Sequence, residues 1–151
     1  MTLTKTPEQE RIANSRMIDD FEFAFILGDI NRIKHMMHNQ GLFFGKQTKA
    51  SAVGSILKIL NSDKAPCEQN NYHINRGFTS NGAEVLEIRA SEFIKFNDND
   101  EPVILGFGEP ADQSVNEVVY RFAFRFRDGK MISIQHPKRI HATIDKFIEG
   151  N

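Results

Sequence analysis

The chain contains no tryptophan, one cysteine and five prolines among 151 residues. The single cysteine, Cys67, cannot form an internal disulfide, which is typical of a reducing compartment. No apolar run approaches the roughly 20 residues of a membrane span, and the N-terminus lacks the apolar stretch of a signal peptide. A net charge of −1 predicts no general affinity for nucleic acid or membranes. We therefore expect a soluble, cytoplasmic protein.

Aromatic residues are what the chain has in abundance. Thirteen Phe and two Tyr indicate an aromatic core with few polar groups. The length favours one domain over residues 1–151, enough to bury about two thirds of the unfolded surface. Residues 1–6 are predicted to be a disordered tail, and we find no repeat, low-complexity tract or linker.

Two strands near the C-terminus, Val118–Phe126 and Lys130–His136, give the strongest structural signal. The Asp-Gly pair between them is typical of a β-hairpin. Because strand side chains alternate with a period of two, the first strand has an aromatic face and a cationic face. The aromatic face carries Val118, Tyr120, Phe122, Phe124 and Phe126.

Helical patterns come earlier in the chain. Pro7 suits the first turn of a helix capped by Thr6, whose buried stripe includes Ile18, Phe21 and Phe25. A second helix is predicted from Ile30 to His38 and a third from Thr48 to about Leu60, with a short strand over Leu42–Phe44 between them. A second hairpin is predicted from Tyr72–Phe78 and Ala83–Phe93. Helices followed by a strand meander indicate an α+β fold.

Three segments resemble the nuclear transport factor 2-like superfamily, which includes ketosteroid isomerase and SnoaL-like polyketide cyclases. Phe25–Ile33 resembles the helix, Gly-Asp break and second helix of that family. Tyr72–Asn75 resembles the strand start of SnoaL-like members with altered spacing, and Tyr120–Met131 resembles the closing hairpin. The resemblance implies a cystatin-like α+β fold, with three N-terminal helices on a strongly curved antiparallel sheet and a conical pocket between them.

The predicted pocket is apolar, so we expect a small apolar or aromatic ligand and neither a cofactor nor a metal. Its predicted lining is Phe21, Phe25, Phe44, Tyr72, Tyr120, Phe122 and Phe124. The resemblance suggests an enzyme of the cyclase, dehydratase or isomerase kind. The alternative is a non-catalytic ligand-binding or homodimerisation module that pairs through the outer sheet face, where we place Val119, Arg121, Arg125, Glu87 and Arg89.

At the positions that match the catalytic residues of ketosteroid isomerase, this chain has residues that cannot perform the same chemistry. Its oxyanion-binding tyrosine, seven residues before the Gly of Gly-Asp, is matched by Phe21, which has no donor. Its general-base aspartate falls near Gly45, and no acid occurs between Gly41 and Lys46. Whether the chain is an enzyme stays open at this point.

Two histidines are the candidate acid–base residues. His136 shares a face with Ile132 and Ile134, so it points inward, either as an acid–base group or as an inert hydrogen-bonded residue. For His73, the apolar alternation of Tyr72 and Ile74 favours an outward side chain, whereas the family resemblance favours an inward one. Tyr120 is the polar group of the aromatic face, and it could orient a ligand or satisfy a backbone carbonyl.

Overall fold

The computed structural model describes residues 6–60, 72–90, 95–96, 102–103, 109–110 and 118–137. The first part contains α1 (Pro7–Leu27), α2 (Ile30–Met36), β1 (Met37–Phe43) and α3 (Lys49–Leu60). The strands that follow are β2 (Tyr72–Phe78), β3 (Glu84–Ala90), β4 (Lys95–Phe96), β5 (Pro102–Val103), β6 (Glu109–Pro110), β7 (Val118–Arg127) and β8 (Lys130–Gln135). This order of three helices and a strand-rich second part confirms the predicted α+β class.

The main sheet has the order β1-β8-β7-β3-β2, and β6 also pairs with β7. Its central strands are antiparallel, and β7 and β8 form the predicted hairpin. The first strand, β1, differs because it runs parallel to β8 at the edge. The sheet is therefore mixed rather than wholly antiparallel, a pairing between distant segments that local sequence does not encode.

The residues predicted to cap the first helix form the expected hydrogen bonds. The Thr6 hydroxyl accepts a hydrogen bond from the Gln9 amide at 3.1 Å, and the Gln9 side chain accepts from the Thr6 amide at 2.9 Å. This capping box fixes the start of α1. Gly28 ends the helix at φ 77°, and Asp29 caps α2 through the Arg32 amide.

The boundary after α2 differs from the prediction. The helix ends at Met36, and β1 begins at Met37, which is fully buried and pairs with Met131 of β8. Pairing with β8 therefore overrides the helical pattern that extended to His38. The predicted Leu42–Phe44 strand is the end of this longer β1. The segments 61–71 and 138–151, for which the sequence pattern predicts a polar loop and a short amphipathic helix, lie outside the described residues.

The helices pack on one face of the sheet and enclose the main core. Ile18, Phe21 and Phe25 of α1 are fully buried, as predicted from their stripe. In α3 the buried positions are Ala52, Ile56 and Ile59, while Val53 is only partly buried. None of the helices described is long and apolar enough to cross a membrane.

Candidate functional site

Five of the seven predicted pocket residues form a closely packed aromatic cluster between α1 and β7. The Phe21 ring meets the Phe122 ring edge-on at 4.8 Å between centroids, and Phe25 meets Tyr120 in the same way at 5.2 Å. Phe124 lies 5.1 Å from Phe21. All five rings are at most 1 % exposed. The aromatic face of the hairpin thus turns toward the helices, as the alternation predicts, and its rings fill the space there.

A buried carboxylate lies beside this cluster. Glu22 follows Phe21 on α1 and is only 7 % exposed. The Tyr72 hydroxyl, on β2, donates a hydrogen bond to its Oε2 at 2.9 Å. Burial raises the pKa of Glu22, which the Tyr72 hydrogen bond partly opposes. The pair therefore joins a desolvated acid to a neutral donor, an arrangement that favours proton exchange nearer to neutral pH.

A second acid–base pair lies next to it, at the same sheet edge. Arg76 of β2 donates to Asp19 at 2.8 Å and to the Ser15 hydroxyl at 3.2 Å, both on α1. The side chains of Tyr72 and Arg76 therefore both reach the helix from the inner face of the edge strand. The predicted inward orientation of Tyr72 is confirmed.

Glu84 is a third carboxylate on the inner face. It lies opposite Phe124 in the β3–β7 register and is partly buried. Its Oε2 is buried and has no hydrogen-bond partner among the residues that the structure describes. Burial raises the pKa of Glu84, although Arg76 and Arg11 act in the opposite direction. The inner face of the sheet therefore carries a carboxylate of its own, in addition to the charged residues on the outer face of β3.

Comparison with solved structures shows that the chain is similar in fold to several known proteins. An NTF2-like protein from Anabaena variabilis is 14 % identical at a TM-score of 0.53, covering 91 % of this chain and 94 % of that one. One from Mesorhizobium loti is 10 % identical at 0.53, covering 89 % and 96 %. A candidate polyketide cyclase from Xanthomonas campestris is 15 % identical at 0.52, covering 89 % and 96 %. No protein-family model and no curated protein matches the chain.

The chain has the nuclear transport factor 2-like fold. At these identities the likeness shows fold alone, and the activity has to be argued from the residues. The two positions at which ketosteroid isomerase chemistry is missing are now placed in three dimensions. Phe21 lies within the aromatic cluster, and Gly45 lies in the exposed turn after β1 with φ 91°.

In this fold the two predicted histidines lie apart. His73 pairs with Arg89 in the β2–β3 register, is exposed, and lies on the strand face opposite Tyr72. His136 is partly buried, and its ring stacks on Phe44 with centroids 5.8 Å apart. The structure therefore does not bring these histidines together. Glu22, which follows Phe21 of the aromatic cluster, is instead hydrogen-bonded to Tyr72.

The outer sheet face differs from the expected solvated surface. Arg121 and Glu87 lie opposite each other in the β3–β7 register, 3 % and 4 % exposed, with Nε and Oε2 2.9 Å apart. Val119 is also fully buried. These three residues are buried within a single chain, so they do not form the solvated surface expected from the strand pattern, and pairing of two copies through this face stays a prediction. Arg125 of the same face is exposed.

Glu22 was not among the candidates from sequence. It occupies the position between Ile18 and Phe25 on the apolar stripe of α1, four residues after Ile18. A carboxylate at a stripe position is a signal that could have found it, because charged residues are almost never fully buried without a partner. Among the described residues no group of three or more His, Cys, Asp and Glu could hold a metal ion.

Proposed function

We propose that the chain binds a small apolar molecule beside the aromatic cluster, at the β2 edge of the sheet, and transfers protons to or from it. Glu22 is the acid or base, and Tyr72 is its positioning residue. The observation that carries this proposal is the buried carboxyl of Glu22, with its raised pKa and its 2.9 Å hydrogen bond from Tyr72.

The geometry of the pair suits this role. The Tyr72 hydroxyl engages Oε2, and no described residue donates to Oε1, so the second oxygen can meet a substrate. A carboxyl whose pKa is raised toward neutral pH can take up and release protons efficiently. The neighbouring rings of Phe21 and Phe25 favour an apolar substrate. A solved structure of this fold named as a candidate polyketide cyclase supports an enzyme of the cyclase, dehydratase or isomerase kind.

Proton transfer is testable without knowing the natural substrate. In D₂O, a general base exchanges the α-protons of a ketone for deuterons, which NMR detects directly. We expect the wild type to accelerate exchange in at least one of acetophenone, 2-tetralone and cyclohexanone. Glu22→Gln should lower that rate about 10²–10⁴-fold. Tyr72→Phe should shift the pH profile upward, because the hydrogen bond that lowers the pKa of Glu22 is lost.

The matched control is Glu10→Gln, which removes an exposed carboxylate from the same helix. It should leave the exchange rate unchanged. Equal rates in the wild type and Glu22→Gln would contradict the proposal. Native mass spectrometry of the protein purified from cell extract, without added ligand, would reveal a co-purified molecule and its chemical class.

A non-catalytic module is the second candidate function. It is favoured by the five aromatic side chains, which are at most 1 % exposed and pack against one another as a core does. Under this function Glu22 only stabilises the edge of the sheet, and no ketone is exchanged.

Pairing of two copies through the exposed part of the outer face belongs to this second function. Arg125 is exposed there, whereas Arg121 is buried. Sedimentation velocity of the wild type and of Arg125→Glu tests it. A dimer that weakens in the variant supports pairing through this face, and a monomeric wild type excludes it.

A further inference from the structure

Charge is distributed unevenly along the chain. No acidic residue occurs between Asp29 and Asp63, although the chain as a whole has 20 Asp and Glu and a net charge of −1. The same segment carries the cations Arg32, Lys34, Lys46, Lys49 and Lys58. It is therefore a cationic region in a nearly neutral protein, and such a region concentrates anions.

Part of this cationic segment lines a groove of about 550 Å³ where α2, β1 and α3 meet. This volume is within the range of small-molecule sites, roughly 300–1,000 Å³. The lining residues are Lys34, Asn39, Thr48, Lys49, Ala50 and Val53. None of these lining residues is acidic, and neither Glu22 nor Tyr72 is among them.

The polar side chains of the groove are arranged to donate hydrogen bonds. The Lys49 ammonium donates to the Met37 carbonyl at 2.9 Å and to the Asn39 Oδ1 at 2.9 Å. An ammonium has three donors, so one is left for a ligand. Because Lys49 engages the oxygen of Asn39, the amide nitrogen of Asn39 is also left to donate. Within the described part of the chain, neither Lys34 nor Lys49 forms an ion pair with a carboxylate.

Three lysine charges lie close enough at this groove to act on one another. Burial lowers the pKa of Lys49, and the positive charges of Lys130 and Lys34 lower it further. Lys130 is itself held by the His35 carbonyl at 2.6 Å, so its charge stays near the groove. A bound anion would offset this repulsion.

We propose that the groove binds the phosphoryl group of a small molecule, with Lys34, Lys49 and the Asn39 amide as its donors. Two ammonium groups match the double negative charge of a phosphate monoester. Donors on three separate side chains match a group with several oxygens better than a planar carboxylate. The inference is independent of the proton-transfer function, because it uses none of the same residues.

Isothermal titration calorimetry with inorganic pyrophosphate tests the site directly. We expect binding with a Kd below about 1 mM in low salt. Lys34→Gln and Lys49→Gln should each weaken it about tenfold, the effect of one charged hydrogen bond. Asn39→Asp, which keeps the size of the side chain and adds a negative charge, should weaken it by at least as much.

The matched control is Lys58→Gln, which removes a cation from the same acid-free segment but outside the groove. It should change the Kd by less than about twofold. Absence of binding in the wild type would overturn the proposal. Equal weakening in Lys58→Gln and Lys34→Gln would also overturn it, since that result means diffuse attraction to the whole cationic segment.

Folding has to be separated from binding, because Lys49 also hydrogen-bonds to the backbone. Lys34 is exposed, and within the described part of the chain its side chain has no hydrogen-bond or ion-pair partner, so Lys34→Gln is the variant expected to fold normally. Circular dichroism and thermal unfolding check this. Unchanged pyrophosphate affinity in a folded Lys34→Gln contradicts the proposal, whatever the behaviour of Lys49→Gln.

Discussion

The two faces of the sheet each bury a carboxylate, and they treat it differently. On the outer face, Glu87 lies 2.9 Å from the Arg121 guanidinium and also accepts from Asn75. On the inner face, Glu22 receives a hydrogen bond from the neutral Tyr72 hydroxyl, while the nearby Arg76 is engaged with Asp19. One carboxylate has a buried cation as its partner, and the other does not.

This difference separates a structural role from a chemical one. A buried ion pair between a carboxylate and a guanidinium holds two strands in register, and the guanidinium favours the charged form of the carboxylate. A buried carboxyl with a neutral donor keeps its proton more readily, so its charge state can change during a reaction. The comparison therefore favours a structural role for Glu87, and it supports the proposal that Glu22 transfers protons.

The largest expected effect comes from opening the aromatic cluster on the inner face. Phe122 is fully buried and contacts Phe21 and Phe25 edge-on. Phe122→Ala should lower the free energy of unfolding by about 3–5 kcal/mol, measured by urea denaturation. The resulting apolar cavity should bind benzene, and added benzene should raise the Tm of the variant. A loss below about 1 kcal/mol would show that the wild-type cluster is loosely packed.

The next largest effect on the free energy of unfolding is expected from the Arg121–Glu87 pair on the outer face. Arg121→Met leaves Glu87 buried without its guanidinium, which should cost about 3 kcal/mol in urea denaturation. Asn75 still donates to Glu87 in that variant, so the loss falls at the low end of the usual range. The double variant Arg121→Met, Glu87→Met should recover much of it. Arg125→Met, on the exposed part of the same strand, is the control and should change stability by less than about 0.5 kcal/mol.

The pH dependence of stability should identify Glu22 as the uncompensated carboxylate. Burial raises the pKa of Glu22 above its ordinary value of 4.5, so the folded chain holds this proton more tightly than the unfolded chain does. Its contribution to stability is therefore complete below pH 4.5 and is lost as the pH rises through the folded-state pKa.

Glu22→Gln should consequently be more stable relative to the wild type as the pH rises from about 4 to about 7, by on the order of 1 kcal/mol. Urea denaturation at both pH values measures the difference. Glu10→Gln, on the exposed side of the same helix, is the matched comparison. A Glu22→Gln variant that loses stability relative to the wild type as the pH rises would contradict the raised pKa.

The sequence predicted the features that depend on neighbours along the chain. The Thr6 cap, the Gly28-Asp29 break and the Asp-Gly hairpin are local, and the period of β7 placed Tyr120, Phe122 and Phe124 on the inner face. The parallel pairing of β1 with β8 was missed because its partners, such as Phe43 and Ile134, are distant in sequence.

The site was predicted less completely than the fold, for the same reason. Tyr72 was placed on the inner face by alternation, but its partner Glu22 lies 50 residues earlier and follows a different periodicity. His73 became a candidate through family resemblance, and the strand alternation that opposed it describes its position better. Arg121 is buried opposite Glu87 because of the register between β3 and β7, and the alternation within β7 alone does not predict that register.

The smallest expected effect tests whether burial, rather than charge pairing itself, distinguishes the two faces. Arg76–Asp19 has the same donor–acceptor chemistry as Arg121–Glu87, but its side chains are 30 % and 57 % exposed. Arg76→Gln should therefore cost only about 0–1 kcal/mol in urea denaturation, because water replaces the lost partner. It should also raise the pKa of Glu22, which the charge of Arg76 lowers. A cost as large as that of Arg121→Met would mean that the edge pair, too, is structural, and the contrast between the faces would fail.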